Sequence, residues 1–257
     1  MVKRDTPAET AAAGRRVFGL DFTDSTAQQL VEILTKRPAE GPQLLVTCNL
    51  DHVVNLHRNP AFRAAYLTAW RTTVDGAPVF LYQRLRGGAA PARVTGADLF
   101  PALMRSMDPH RHRPFFITAD DAIGQALQVE LEARGFIFAA PPFLTVPFGF
   151  ERDVAATDAV IAAIAGYDAT HLFLGIGSPK SEIWVVAHRD RLGALYILPV
   201  GAALEFHTGK KSRAPHLVRR LGLEGVWRLG SEPRRLWRRY MVDSWIFLAA
   251  IREDLKR

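Results

Sequence analysis

Short runs of apolar and β-branched residues alternate along this chain with longer stretches in which apolar positions recur every three or four residues. The runs Leu44–Thr47, Thr72–Val74, Pro114–Thr118, His171–Leu174 and Tyr196–Pro199 read as strands. The stretches Ser25–Lys36, Pro60–Ala69, Ala77–Leu85, Gly96–Met107, Ala122–Ala133, Val154–Ala165 and Pro179–Arg189 read as helices. Strands alternating with helices predict an α/β fold, a Rossmann-like, mostly parallel sheet with helices on both faces. Ligands of such sheets bind outside the carboxyl ends of the strands.

The pattern divides the chain into three parts. Residues 1–16 are Ala-rich and polar, a loose lead-in. Residues 17–208 form the α/β body, and 209–257 a basic, helical C-terminal appendage. At helical spacing Arg234, Arg235, Arg238 and Arg239 share one face of this appendage, and Trp237, Tyr240, Met241, Ser244, Trp245 and Leu248 another. The apolar stripe can dock on the core, or lie at a membrane interface with Trp and Arg at headgroup level. Both arrangements can hold together.

Charge sharpens this division. Residues 209–257 hold 13 Lys/Arg and 5 Asp/Glu, a net of +8, against 20 basic and 21 acidic residues in the first 208. A basic end on a neutral body points to an anionic partner: nucleic acid, a phospholipid surface or a diphosphate. Cys48 is the single cysteine of the 257 residues, which excludes an intrachain disulfide and suits a reducing compartment. No Cys/His cluster has zinc spacing, and His110 and His112 are expected in a basic loop without partners. The first residues lack the apolar core of a signal peptide, and no apolar stretch approaches the about 18 residues of a membrane span.

Several strand ends carry candidate chemistry. After His171–Leu174, the glycines Gly175 and Gly177 allow a tight turn, Ser178 is placed to cap a helix, and Pro179 suits its first turn. Such a turn favours an anion such as a phosphate, and Lys180 adds a full charge. Thr47 and Asn49 end the first strand, where they can hydrogen-bond sugar hydroxyls or a base edge, or simply cap the strand end. Asp75-Gly76 ends the second; it is either a turn or a carboxylate placed as a general base. Arg93 can pair with a diphosphate or with Asp98. Gly201 begins another close-approach turn, and Glu205 is a second acid or a helix-dipole partner.

Taken together these motifs resemble one family. Thr47-x-Asn49, His52-Val-Val, Asp75-Gly and Arg93-Val-Thr-Gly-x-Asp98 are followed by Gly175-x-Gly-Ser-Pro-Lys180 and Gly201-Ala-Ala-Leu-Glu-Phe206. Arg213-Ala-Pro, Gly222-Leu-Glu and Arg228-Leu-Gly-Ser-Glu-Pro-Arg-Arg-Leu-x-x-Arg-Tyr240 complete the set. From about Val17 to Tyr240 the chain resembles the WecG/TagA/CpsF glycosyltransferases, glycosyltransferase family 26. The resemblance implies an inverting, metal-independent hexosyltransferase that needs no cofactor. It would move a sugar from a UDP-sugar to a polyprenyl-diphosphate-linked saccharide. Its place would be the cytoplasmic face of a bacterial membrane, in exopolysaccharide, capsule or teichoic-acid synthesis. It further implies Asp75 as the base, Thr47 and Asn49 in the sugar pocket, and Arg93 on a phosphate. The turn of Gly175, Gly177, Ser178, Pro179 and Lys180, with Gly201 beyond it, would cradle the UDP diphosphate. Arg213, Arg228, Arg235 and Arg238 of the appendage would cover the site and meet the anionic membrane or the lipid diphosphate.

Two departures stand out. The family usually reads Ser-Pro-Lys-Gln-Glu, whereas this chain has Ser181 before Glu182, which puts an N-acetylmannosamine-type donor in doubt. Ile117-Thr-Ala-Asp-Asp121 replaces a turn that more often bears glycine, and its adjacent, surface Asp120 and Asp121 lack the spacing of a metal-binding acidic pair. The competing readings are an inactive nucleotide-sugar-binding scaffold and a nucleic-acid-binding protein. Retention of Asp75 and Arg93 argues against the first; the lack of a nucleic-acid motif argues against the second.

Overall fold

Six strands form one all-parallel sheet: β1 (Gln43–Cys48), β2 (Arg71–Val74), β3 (Pro114–Thr118), β4 (Phe143–Thr145), β5 (His171–Leu174) and β6 (Tyr196–Pro199). Their order is β2-β1-β6-β5-β3-β4. The computed structural model describes residues 14–215 and 233–256, with the backbone alone for 233–242, and Val218, Trp227 and Gly230 between. The lead-in before residue 14, Arg228, and the side chains of Arg234, Arg235, Arg238 and Arg239 lie outside the described residues, as do those of Trp237, Tyr240 and Met241.

The central strands are apolar throughout because both faces are covered. Successive residues point to opposite faces. On β1, Leu44, Val46 and Cys48 enter one core with Ile117, Leu174 and Ile197, while Leu45 enters the other with Phe116, Phe173 and Leu198. The second face is covered by α1 (Ala27–Lys36), α5 (Gly96–Ser106), α6 (Asp121–Ala133) and α9 (Ala203–His207). The first is covered by α2 (Leu50–Arg58), α3 (Pro60–Leu67), α4 (Ala77–Leu85), α7 (Val154–Tyr167), α8 (Lys180–Ala187) and α10 (Pro233–Asp254). Fully buried Trp184, Phe62, Phe100, Phe116 and Phe173 each contribute about 1.5–3 kcal/mol of apolar burial.

Helix starts follow local chemistry. Thr26 and Gln29 form a reciprocal capping box on α1, and Asn49, Asn59 and Thr95 accept from the first turns of α2, α3 and α5. Two elements exceed the sequence-based expectation. Helix α2 starts directly at the Asn49 cap, and its Val53-Val54 pair lacks a clean helical period. Strand β4 is a three-residue edge strand behind Pro141 and Pro142.

Three expectations are corrected. Ser178 does not cap α8: the helix begins at Lys180, so Pro179 holds the N-cap position and Ser178 precedes it by one residue. His112 is buried and bonded. Its Nδ1 accepts from the Asp108 amide at 2.7 Å and its Nε2 lies 3.0 Å from the Thr35 carbonyl. Asp120 is half-buried, its carboxylate capping α6 and paired with Lys210.

The expected docking stripe on α10 is shifted around the helix. Phe247 and Ala250 enter the core and Asp254 is buried, while Trp245 and Leu248 are exposed. The spacing 247, 250, 254 places these three on one face, next to α2. Asp254 accepts from the Phe18 amide at 2.6 Å and from the Tyr82 hydroxyl at 2.9 Å, and Arg86 donates to its carbonyl at 3.0 Å.

Candidate active site

At the carboxyl ends of β1, β2, β5 and β6 the sheet opens into a cleft of about 390 Å³. This is where a parallel sheet presents its loops to a ligand. Of the residues singled out from sequence, Thr47, Asn49, Asp75, Gly175, Gly177, Ser178, Ser181, Glu182 and Gly201 line it.

β1 supplies one wall. Thr47 is its penultimate residue and is buried, and Asn49 follows with its side-chain carbonyl accepting from the His52 amide at 3.1 Å. Asn49 is therefore both a helix cap and a lining residue. β2 ends beside it: the Asp75 amide donates to the Cys48 carbonyl at 2.8 Å, which fixes the half-buried Asp75 against the β1 end. Burial pushes the Cys48 thiol far up, and the nearby Asp75 charge pushes it further. Cys48 is thus an inert, protonated thiol of the core, not a nucleophile.

The opposite wall is the turn from β5 to α8. Gly177 takes φ +83°, a left-handed conformation that a side chain strains. Gly175 packs so tightly that an added Cβ would lie 2.6 Å from Leu204 Cδ1. Ser181 is buried and its hydroxyl donates to the Gly177 carbonyl at 3.0 Å, so the turn itself holds this side chain. Glu182, next on α8, is 1% exposed. Burial pushes its carboxyl up to about 7; contacts with the backbone and Ser178 oppose that rise, and the Asp51 charge adds to it. Ser178 Oγ and Glu182 Oε2 are both buried without a protein partner at hydrogen-bonding geometry.

Arg93, Pro179, Lys180 and Arg213 stand outside the described lining. Lys180 Nζ lies over the Phe148 ring at 4.6 Å from its centroid. Arg213 donates to Asp98 at 2.7 Å and to the Ala97 carbonyl at 3.0 Å, so Asp98 is engaged by the start of the appendage. Arg93 lies half-buried two residues before the Thr95 cap of α5.

The structure adds lining residues that sequence reasoning left unassigned: Asp51, His52, Phe206 and Lys211, with Glu205 joining them. His52 Nδ1 lies 2.5 Å from the Tyr66 hydroxyl, and burial keeps that phenol protonated by raising its pKa far above the usual value. Lys211 Nζ pairs with Glu205 at 2.8 Å. Reading Asn49 as a helix cap would have placed Asp51 and His52 in the first turn of α2, on this edge. Among the described residues no group of three or more His, Cys, Asp or Glu side chains is arranged to hold a metal ion. Nor is any described helix long and apolar enough to cross a membrane.

Comparison with known proteins places the same residues in a wider context. The model of the "Glycosyl transferase WecG/TagA/CpsF family" matches residues 15–257. Curated relatives include an "N-acetylglucosaminyldiphosphoundecaprenol N-acetyl-beta-D-mannosaminyltransferase" of Staphylococcus aureus strain MRSA252, 23% identical over 252 residues and covering 94% of each chain. The proteins of that name from strains MW2 and NCTC 8325 match at the same identity and coverage.

Proposed function

The chain belongs to the WecG/TagA/CpsF glycosyltransferase family, and from that premise we propose that it transfers a sugar from a UDP-sugar to a polyprenyl-diphosphate-linked saccharide, with inversion and without a metal ion. The observation that carries this reading is the convergence of Asp75, the β1 end and the β5–α8 turn on one cleft. The activity that names the S. aureus relatives supports an N-acetylglucosaminyl diphosphate lipid as the acceptor class.

In this mechanism the acceptor hydroxyl gives its proton to Asp75 as its oxygen attacks the anomeric carbon. The new C–O bond forms on the face opposite the departing group, the bond from that carbon to the diphosphate oxygen breaks, and UDP leaves with the electron pair. A half-buried carboxylate at a strand end is held in place for such proton transfer. The backbone N–H groups of Ile176, Gly177 and Ser178 in the β5–α8 turn would balance the leaving charge, joined in this reading by arginines of the appendage. Preorganised donors of this kind are often the largest catalytic term. The arginines of α10 also suit an anionic membrane surface, which would bring the enzyme to its acceptor at the inner face of the cytoplasmic membrane.

Incubating the purified chain with labelled UDP-glucose, UDP-glucuronate, UDP-N-acetylglucosamine or UDP-N-acetylmannosamine and a polyprenyl-diphosphate N-acetylglucosamine acceptor tests this. Labelled lipid product from at least one donor, undiminished by EDTA, is expected. Abolition by EDTA overturns the metal-free mechanism, and no transfer from any UDP-sugar overturns the assignment.

A further inference from the structure

We propose that Glu182, with Ser178, is the wall that selects the transferred sugar, taking hydroxyl or N–H donors of an uncharged sugar and rejecting a uronate. The inference deepens the proposed function and rests on it.

Two observations converge. First, Ser178 Oγ and Glu182 Oε2 are buried side by side on the cleft wall, and neither makes a hydrogen bond of full geometry to the protein. A buried polar atom left unsatisfied is costly, so a site that keeps two together is built for a ligand that supplies donors. Glu182 is 1% exposed, which makes it part of a rigid wall rather than a solvated surface acid. The neighbouring Ser181 hydroxyl is engaged by the Gly177 carbonyl, so Ser178 and Glu182 are the side chains this turn leaves for a ligand.

Second, the described lining is negative. Asp51, Asp75, Glu182 and Glu205 contribute carboxyls, and Lys211, the described lining's full cation, is paired with Glu205. A pyranose hydroxyl or amide N–H donates to such a wall. A uronate carboxylate brings a like charge into a poorly solvated place and can donate nothing in return. Glu182 is held from several sides: Asp51 adds negative charge, the buried Tyr66 phenol is sensitive to its charge, and Ser178 lies beside it. Discrimination comes from the cost of unpaired buried groups, which separates ligands more sharply than size does.

Calorimetric titration of the full chain at pH 8.5, where Glu182 is ionised, with UDP, UDP-glucose and UDP-glucuronate tests this, because the two sugars differ only in a hydroxymethyl against a carboxylate. Wild type is expected to bind UDP-glucose at least about tenfold tighter than UDP-glucuronate. In Glu182→Gln, which keeps the side chain's shape, the ratio should fall below about threefold, with affinity for UDP itself unchanged. Equal binding of the two sugars by wild type, or an unchanged ratio in Glu182→Gln while UDP still binds, overturns the inference and leaves the nucleotide-sugar reading standing. Failure of UDP to bind wild type overturns both.

Discussion

In the proposed sugar site, the buried Glu182 also carries a pH-dependent part of the stability. Burial raises its carboxyl from 4.5 to about 7. The folded state therefore holds this proton more tightly than the unfolded chain does. Its contribution is fully present below pH 4.5 and is lost as pH rises to about 7, by on the order of 3 kcal/mol. His171 acts in the opposite sense: burial lowers it to about 3, so stability falls as pH drops below 6.5. Urea unfolding of wild type and Glu182→Gln at pH 5 and pH 8 separates the two. The variant should gain stability relative to wild type at pH 8, and equal differences at both pH values would contradict the account. The turn around this residue was partly legible in the sequence. The glycines announced a close approach, and Gly177 does adopt a left-handed conformation. The burial of Glu182 and the engagement of Ser181 were not legible, because they depend on how α8 packs against α3. His52 was hidden for a different reason: its place on the cleft edge follows only once Asn49 is read as the cap of α2.

At the scale of elements, the sheet was read well because strands buried on both faces advertise themselves as apolar runs. Strand β4 and helix α2 escaped because one is a three-residue edge and the other begins without a spacer after β1. Helix α10 gives the clearest lesson. Its arginines dominate the periodic pattern, yet the docked face is the one carrying Phe247, Ala250 and Asp254. The Asp254 carboxylate holds the end of this helix to the Phe18 amide and the Tyr82 hydroxyl. Asp254→Ala strands both donors, and the unfolding free energy should fall by roughly 3 kcal/mol in urea titration. A loss under about 1 kcal/mol would show that the apolar contacts alone fix the helix.

For the whole molecule, charge and fold divide the work. The body carries a negative cleft at the carboxyl edge of its sheet, and the net positive charge lies beyond residue 208. Because α10 packs into the core, removing everything after residue 208 exposes Phe18 and Tyr82 and should destabilise the body. Charge removal is the cleaner probe. Arg235→Gln with Arg238→Gln should weaken sedimentation with phosphatidylglycerol vesicles roughly tenfold or more, at about 1 kcal/mol per basic residue. Unchanged vesicle binding would remove these arginines from the membrane contact.

The central claim is that Asp75 takes the acceptor's proton in a cleft that holds a UDP-sugar. Asp75→Asn keeps the shape of the site and removes the base. Measured side by side, transfer to the lipid acceptor should fall roughly 10²-fold or more, while UDP affinity and the unfolding midpoint stay close to wild type. Near-normal transfer by Asp75→Asn would contradict the mechanism.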